Sequence, residues 1–155
     1  MNTIERTIDI AASPASVWAT LVDFPAYPEW NPFVTAVDGD AVVGEQLSVR
    51  VEPPEGRAMT FSPTVTTAVP NEHLEWVGRL LVRGLFDGRH EFRLEPTAED
   101  HTRFVHREHF SGLLVGLLLD EGDIGAGFEA MNEALKTRVE DRMERTGSGD
   151  RAVVA

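Results

Sequence analysis

From Ile124 to Arg145 the chain places Ile124, Phe128, Met131, Leu135, Val139 and Met143 at steps of three and four. That spacing gathers six apolar side chains onto one stripe of an α-helix. Glu129, Glu133, Lys136, Arg138, Glu140, Asp141 and Arg142 take the other sides. A long helix with one apolar stripe gains its stability by burying that stripe against another element. The rest of the chain must therefore supply a surface for it. Gly127 is the strong breaker within the segment, and Gly147-Ser148-Gly149 is the predicted stop, which leaves 147–155 as a flexible tail. Asn132 follows Phe128 by one turn on the same stripe, a polar group where apolar contact is wanted.

The surface comes from strands. Ile4, Ile8 and Ile10 alternate with Glu5, Thr7 and Asp9, the pattern of a half-buried strand. Ser13 then suits a helix N-cap and Pro14 a first helical position, with Val17, Trp18, Leu21 and Val22 as the apolar side of a short helix. Phe24 to Phe33 interleaves prolines with aromatics and reads as a packed corner with one short helical turn. From Val34 to Phe110 the period is two, and turn residues separate six runs: Val34 to Val37, Glu45 to Val51, Arg57 to Val69, His73 to Leu81, Arg89 to Glu95 and Thr102 to Phe110. The expected class is α+β in one domain, residues 1–146. It has a seven-stranded curved antiparallel sheet wrapped around the C-terminal helix, and two short helices between strands 1 and 2. Side chains diverge from a strongly curved sheet, so a cavity is expected between sheet and helix.

Charge and composition narrow the partners. With 26 acidic against 14 basic residues the net charge is -12, a field that repels phosphate backbones, so nucleic acid is not expected as a partner. There are no cysteines, which excludes disulfides, thiolate catalysis and thiolate zinc sites. Leu113 to Leu119 is the longest apolar run and falls far short of the roughly 20 residues a spanning helix needs, so no stable membrane insertion is expected. A flap over a cavity mouth, a contact for lipid or for a second copy in a homodimer, and a buried lead-in to the long helix all fit this run. Met1 to Asp9 mixes charge with apolar residues and lacks a signal-peptide pattern, so a cytoplasmic location is the expectation. No phosphate loop, dinucleotide fingerprint, nucleophile elbow or HExxH motif occurs, and neither cofactor nor metal is expected.

Alternation assigns the inner face. Phe104, His106, Glu108 and Phe110 point one way and Arg103, Val105, Arg107 and His109 the other; Gly88, His90, Phe92 and Leu94 oppose Arg89, Glu91, Arg93 and Glu95. By the same rule Met59, Phe61 and Val65 lie inward, as do Leu74, Trp76, Leu80 and Val82. The candidate ligand-binding set is Met59, Phe61, Trp76, His90, Phe92, Phe104, His106, Glu108 and Phe110, with Phe128 and Asn132 from the helix. His90, His106 and Glu108 form a polar cluster on an apolar face. Three readings are open for it: a self-satisfied buried network, an anchor for a ligand hydroxyl or carbonyl, or acid/base catalysis. Trp18, Trp30 and Phe33 are expected to pack the end of the barrel.

The chain resembles the START/Bet v 1-like (SRPBCC) superfamily, particularly its small polyketide cyclase/dehydratase or lipid-transport-like members. The similarity rests on Ala12-Ser13-Pro14-Ala15-Ser16-Val17-Trp18, Tyr27-Pro28-Glu29-Trp30-Asn31-Pro32-Phe33 and His90-Glu91-Phe92. Arg107-Glu108-His109-Phe110-Ser111-Gly112 and the segment from Gly127 to Lys136 extend it. The resemblance implies a helix-grip fold and a small hydrophobic ligand of lipid, polyketide or aromatic type. It also implies a rival activity on the same pocket, a polyketide cyclase/aromatase or dehydratase. In that case His90, His106 and Glu108 are the catalytic candidates.

Overall fold

The computed structural model describes residues 2–80, 84, 86–112, 115 and 120–154, and the side chains of all of these except 80, 86 and 146–154. Strand β1 (Asn2–Ile10) leads into α1 (Pro14–Leu21), a 3-10 turn (Phe24–Ala26) and α2 (Tyr27–Trp30). Ser13 caps α1 as its spacing predicts, its Oγ accepting from the Ser16 N–H at 3.3 Å, with Pro14 at the first helical position. Strands β2 (Val34–Asp38), β3 (Ser48–Val51), β4 (Met59–Phe61), β5 (Thr64–Val69), β6 (His73–Leu80), β7 (Phe86–Ala98) and β8 (His101–Ser111) follow, and α3 (Glu121–Val154) closes the chain.

The architecture is α+β with antiparallel strands and a long C-terminal helix packed on the sheet, as the periodicities require. In place of the expected single sheet of seven strands, the described residues form eight strands in two ladders, β1-β8-β7-β6-β5 and β2-β3-β4. The run from Arg57 to Val69 divides at Ser62-Pro63, because a proline has no N–H to give the ladder. The two ladders meet at a Gln46–Thr64 bridge, where the Leu47 N–H donates to the Pro63 carbonyl at 2.8 Å. The smaller sheet thus folds over one end of the larger.

Phe128, Met131, Leu135 and Val139 of α3 are buried in the core as their stripe predicts. Met143, assigned to the same stripe, is 41% exposed, past the reach of the sheet. The helix also runs on to Val154 in place of the stop predicted at Gly147-Ser148-Gly149. A glycine costs a helix about 1 kcal/mol relative to alanine but keeps its N–H, so it weakens the ladder without breaking it. Leu81, Val82 and Leu113 to Leu119 lie outside the described residues apart from Val115, which is buried.

One close approach positions the helix. An added Cβ at Gly127 would sit 2.3 Å from the Phe33 ring, so that ring packs directly on the helix backbone. Phe33 is itself held by Asn31, whose Oδ1 accepts from the Phe33 and Val34 N–H groups at 3.0 and 2.9 Å. The breaker in the helix and the aromatic corner therefore have a common cause.

Candidate ligand site between the two sheets

Pairing register sets the site. Trp76, His90 and Glu108 form one row across β6, β7 and β8, and Leu74, Phe92 and His106 form the next. Residues in such a row share a face, and here that face meets α3. His106 stacks on Phe128 with ring centroids 3.8 Å apart and an interplanar angle of 7°.

A chain of hydrogen bonds runs through these rows. Asn132 Nδ2 donates to the Arg6 carbonyl at 3.3 Å, and Asn132 Oδ1 lies 3.0 Å from His106 Nδ1. His106 Nε2 lies 2.7 Å from His90 Nε2, and His90 Nδ1 lies 3.1 Å from Glu108 Oε1. Complete burial, reinforced by the neighbouring His90, holds the His106 pKa well below the ordinary imidazole value, so this ring is neutral. Two ring nitrogens on one zinc ion would stand about 3.3 Å apart at tetrahedral angles and ordinary Zn–N lengths. The observed His–His spacing is a hydrogen bond, not a chelate.

At the Glu108 end of this chain lies a cavity of about 100 Å³. Trp76, His90, Glu108 and Phe110 form one wall, and Val49, Val51, Met59 and Phe61 of the small sheet face them. Phe33, Val34, Pro63, Arg79 and Ile124 complete the lining, together with the facing pair Gly78 and Gly88. A Cβ at Gly88 would stand 2.6 Å from Glu108 Oε2, so the glycine leaves the room that the carboxylate fills.

Of the eleven predicted ligand residues, Met59, Phe61, Trp76, His90, Glu108 and Phe110 line this cavity. Phe92, Phe104, His106, Phe128 and Asn132 are buried outside its lining, packed among themselves and against the core. Their apolar or hydrogen-bonded neighbours fill the space that alternation alone left open. Phe33, expected to be packing only, lines the cavity as well. Val34, Val49, Val51, Pro63, Gly78, Arg79, the inward Gly88 and the stripe residue Ile124 line it too, none of them among the predicted ligand residues. The signal for the glycines was available: both occupy inward phase on neighbouring strands, where a missing side chain makes space.

A second polar cluster lies on the outer face. Glu91, predicted to meet water, is only 5% exposed beneath Arg107, Arg93 and His73. Burial raises its pKa, but Arg107, Arg93 and His73 together outweigh that and hold it below the ordinary carboxylate value. His73, Glu75 and Glu91 bring potential metal-ligand atoms within 4.8 Å of one another. Arg107, Arg93 and Arg89 already pair with those carboxylates, which supplies the positive charge a cation would bring.

The sequence model of the polyketide cyclase / dehydrase and lipid transport family matches residues 1–144. The chain belongs to that family. No curated protein matches its sequence. Among solved structures, a START superfamily protein from Mycobacterium smegmatis is 21% identical at a TM-score of 0.71, over 90% of this chain and 97% of that one. The Zhui aromatase/cyclase from Streptomyces sp. R1128 is 19% identical at a TM-score of 0.73, over 92% and 95%. A norcoclaurine synthase point mutant from Thalictrum, in complex with a transition-state analogue, is 16% identical at a TM-score of 0.69, over 92% and 96%. At these identities the likeness is one of fold. It covers nearly the whole of each chain, so the fold those structures share extends over about nine tenths of this one. Among the described residues no helix is long and apolar enough to cross a membrane.

Proposed function

We propose that this chain binds a compact hydrophobic molecule, of lipid, polyketide or aromatic type, in the cavity between the two sheets and the start of α3. The observation that carries the reading is the cavity's composition: an apolar lining into which, among the described residues, only His90, Glu108 and Arg79 bring polar side chains. A few placed polar groups in an apolar wall suit burial of a ligand with one fixed orientation. An apolar cavity of roughly 150 Å³ takes a benzene ring. The cavity here is smaller, at about 100 Å³, so it suits part of one ring, or the head of a longer molecule that leaves through the mouth. Family membership supports the same reading. Native mass spectrometry of the purified protein tests it: the expected result is a retained small hydrophobic mass that is lost on denaturation. If no mass is retained and no member of a hydrophobic ligand panel alters Trp76 fluorescence, the reading fails.

A second reading, an enzyme of the cyclase/aromatase or dehydratase type, draws on the His90–Glu108 pair at the cavity wall. Glu108→Gln separates the two. Anchoring alone predicts changed affinity with binding kept, whereas proton transfer predicts lost turnover with near-normal binding.

A further inference from the structure

The hydrogen-bond chain behind the cavity has a direction, and that direction is set by an amide that cannot reverse. Asn132 must turn its Nδ2 toward the Arg6 carbonyl, because a carbonyl only accepts. Its Oδ1 then faces His106 Nδ1 and only accepts, so His106 Nδ1 carries the proton. His106 is fully buried, has no carboxylate partner among the described residues and is neutral, so its Nε2 is a lone pair and His90 Nε2 must donate to it. His90 Nδ1 and Glu108 Oε1 remain. An imidazole lone pair facing a carboxylate lone pair would repel, so one proton lies between them. It belongs either to a neutral carboxyl facing neutral imidazole or to a carboxylate facing imidazolium. In both arrangements Glu108 Oε1 is committed to His90. The other oxygen, Oε2, stands over Gly88 at the cavity wall, has no hydrogen-bond partner among the described residues, and carries only lone pairs.

We infer that the cavity selects ligands bearing a hydroxyl proton, a phenol or an alcohol on a compact apolar frame, which donate to Glu108 Oε2. Asn132 is the positioning residue that orients the chain behind it. The inference rests on the binding reading above and adds the polarity of the anchor. Arg79, the other charged group at the cavity, is paired with Asp87 at 3.9 Å and can only donate, so of these two charged groups Glu108 is the acceptor. Directed chains of this kind matter because a site that accepts from a hydroxyl leaves a buried lone pair unsatisfied when an ether takes its place.

Calorimetric titration with 4-ethylphenol and its methyl ether, 4-ethylanisole, tests the inference. The parent should bind the phenol about tenfold tighter, the equivalent of one hydrogen bond to a charged or strongly polarised acceptor. Glu108→Gln should keep the preference, since its amide N–H replaces the proton facing His90 and its carbonyl faces the cavity. Glu108→Leu should bind both probes alike. Imidazole 15N spectra of the parent should show His106 protonated at Nδ1, and Asn132→Leu should lose that signature. If the parent binds phenol and ether equally, or His106 is protonated at Nε2, the inference is overturned while the binding reading stands. If neither probe binds the parent, the binding reading falls and the inference falls with it.

Discussion

The two halves of the interface between α3 and the large sheet are built from the same residue classes and end differently. Toward the middle of α3, Phe92, Leu94 and Phe104 join Met131, Leu135 and Val139 in the continuous core. Toward its start, the sheet presents Gly78 and Gly88 where the packed half presents leucine and phenylalanine, and the small sheet stands across a gap. Hydrophobic phase decides which face is inside. Side-chain volume at each inward position decides whether that inside is solid or hollow.

If this contrast is right, truncations should be expensive in one half and cheap in the other. Phe128→Ala, which removes a fully buried ring stacked on His106, should cost about 3–5 kcal/mol by denaturant unfolding. Phe61→Ala at the cavity wall should cost less than about 1.5 kcal/mol, since part of its ring already faces space. Equal costs would break the contrast. The outer network offers an intermediate case: Arg107→Ala should cost about 1–3 kcal/mol, because it strips a charged hydrogen-bond partner from the buried Glu91.

A smaller effect concerns pH. The folded-state pKa of His106 is depressed, so the unfolded chain takes up a proton first as pH falls below the ordinary value of 6.5. Its contribution is complete above that value and is lost as pH falls toward the folded pKa. Glu91, also depressed, adds a second loss below its ordinary value of 4.5. Melting temperature should therefore decline from about pH 6.5 downward, and His106→Gln should flatten the upper part of that decline. A parent curve level between pH 6.5 and 5 would show that His106 is not a buried neutral ring.

Alternation and helical periodicity were enough to place His90, His106 and Glu108 on one face and Phe128 and Asn132 opposite them. They placed the strand runs too, but not all their bounds: one run divides at Ser62-Pro63, β3 starts only at Ser48, and β7 reaches from Phe86 to Ala98 through residues read as turns. They were silent on depth. His106 and Glu108 share a phase, yet one is sealed under Phe128 while the other reaches the cavity, and that depends on the smaller sheet folding over one end only. That fold is set by the Gln46–Thr64 bridge, a long-range pairing that no local period encodes. Glu91 shows the same limit from outside. Its phase is outward as read, but Arg107 and Arg93 lie over it, and long side chains cover surface that alternation counts as open.

If the hollow half holds a ligand, Gly78 is the place where added volume should exclude it. Among the described residues a Cβ there would meet only Pro63, at 3.5 Å, so Gly78→Val adds volume to the cavity without displacing the strand. Titrating 4-ethylphenol, or the ligand that co-purifies, into the parent and into Gly78→Val should show affinity about tenfold weaker or worse in the variant. Its melting temperature should be equal or higher, since a β-branched residue suits a strand better than glycine. Unchanged affinity in a variant that folds as well as the parent would contradict the claim and place the ligand elsewhere.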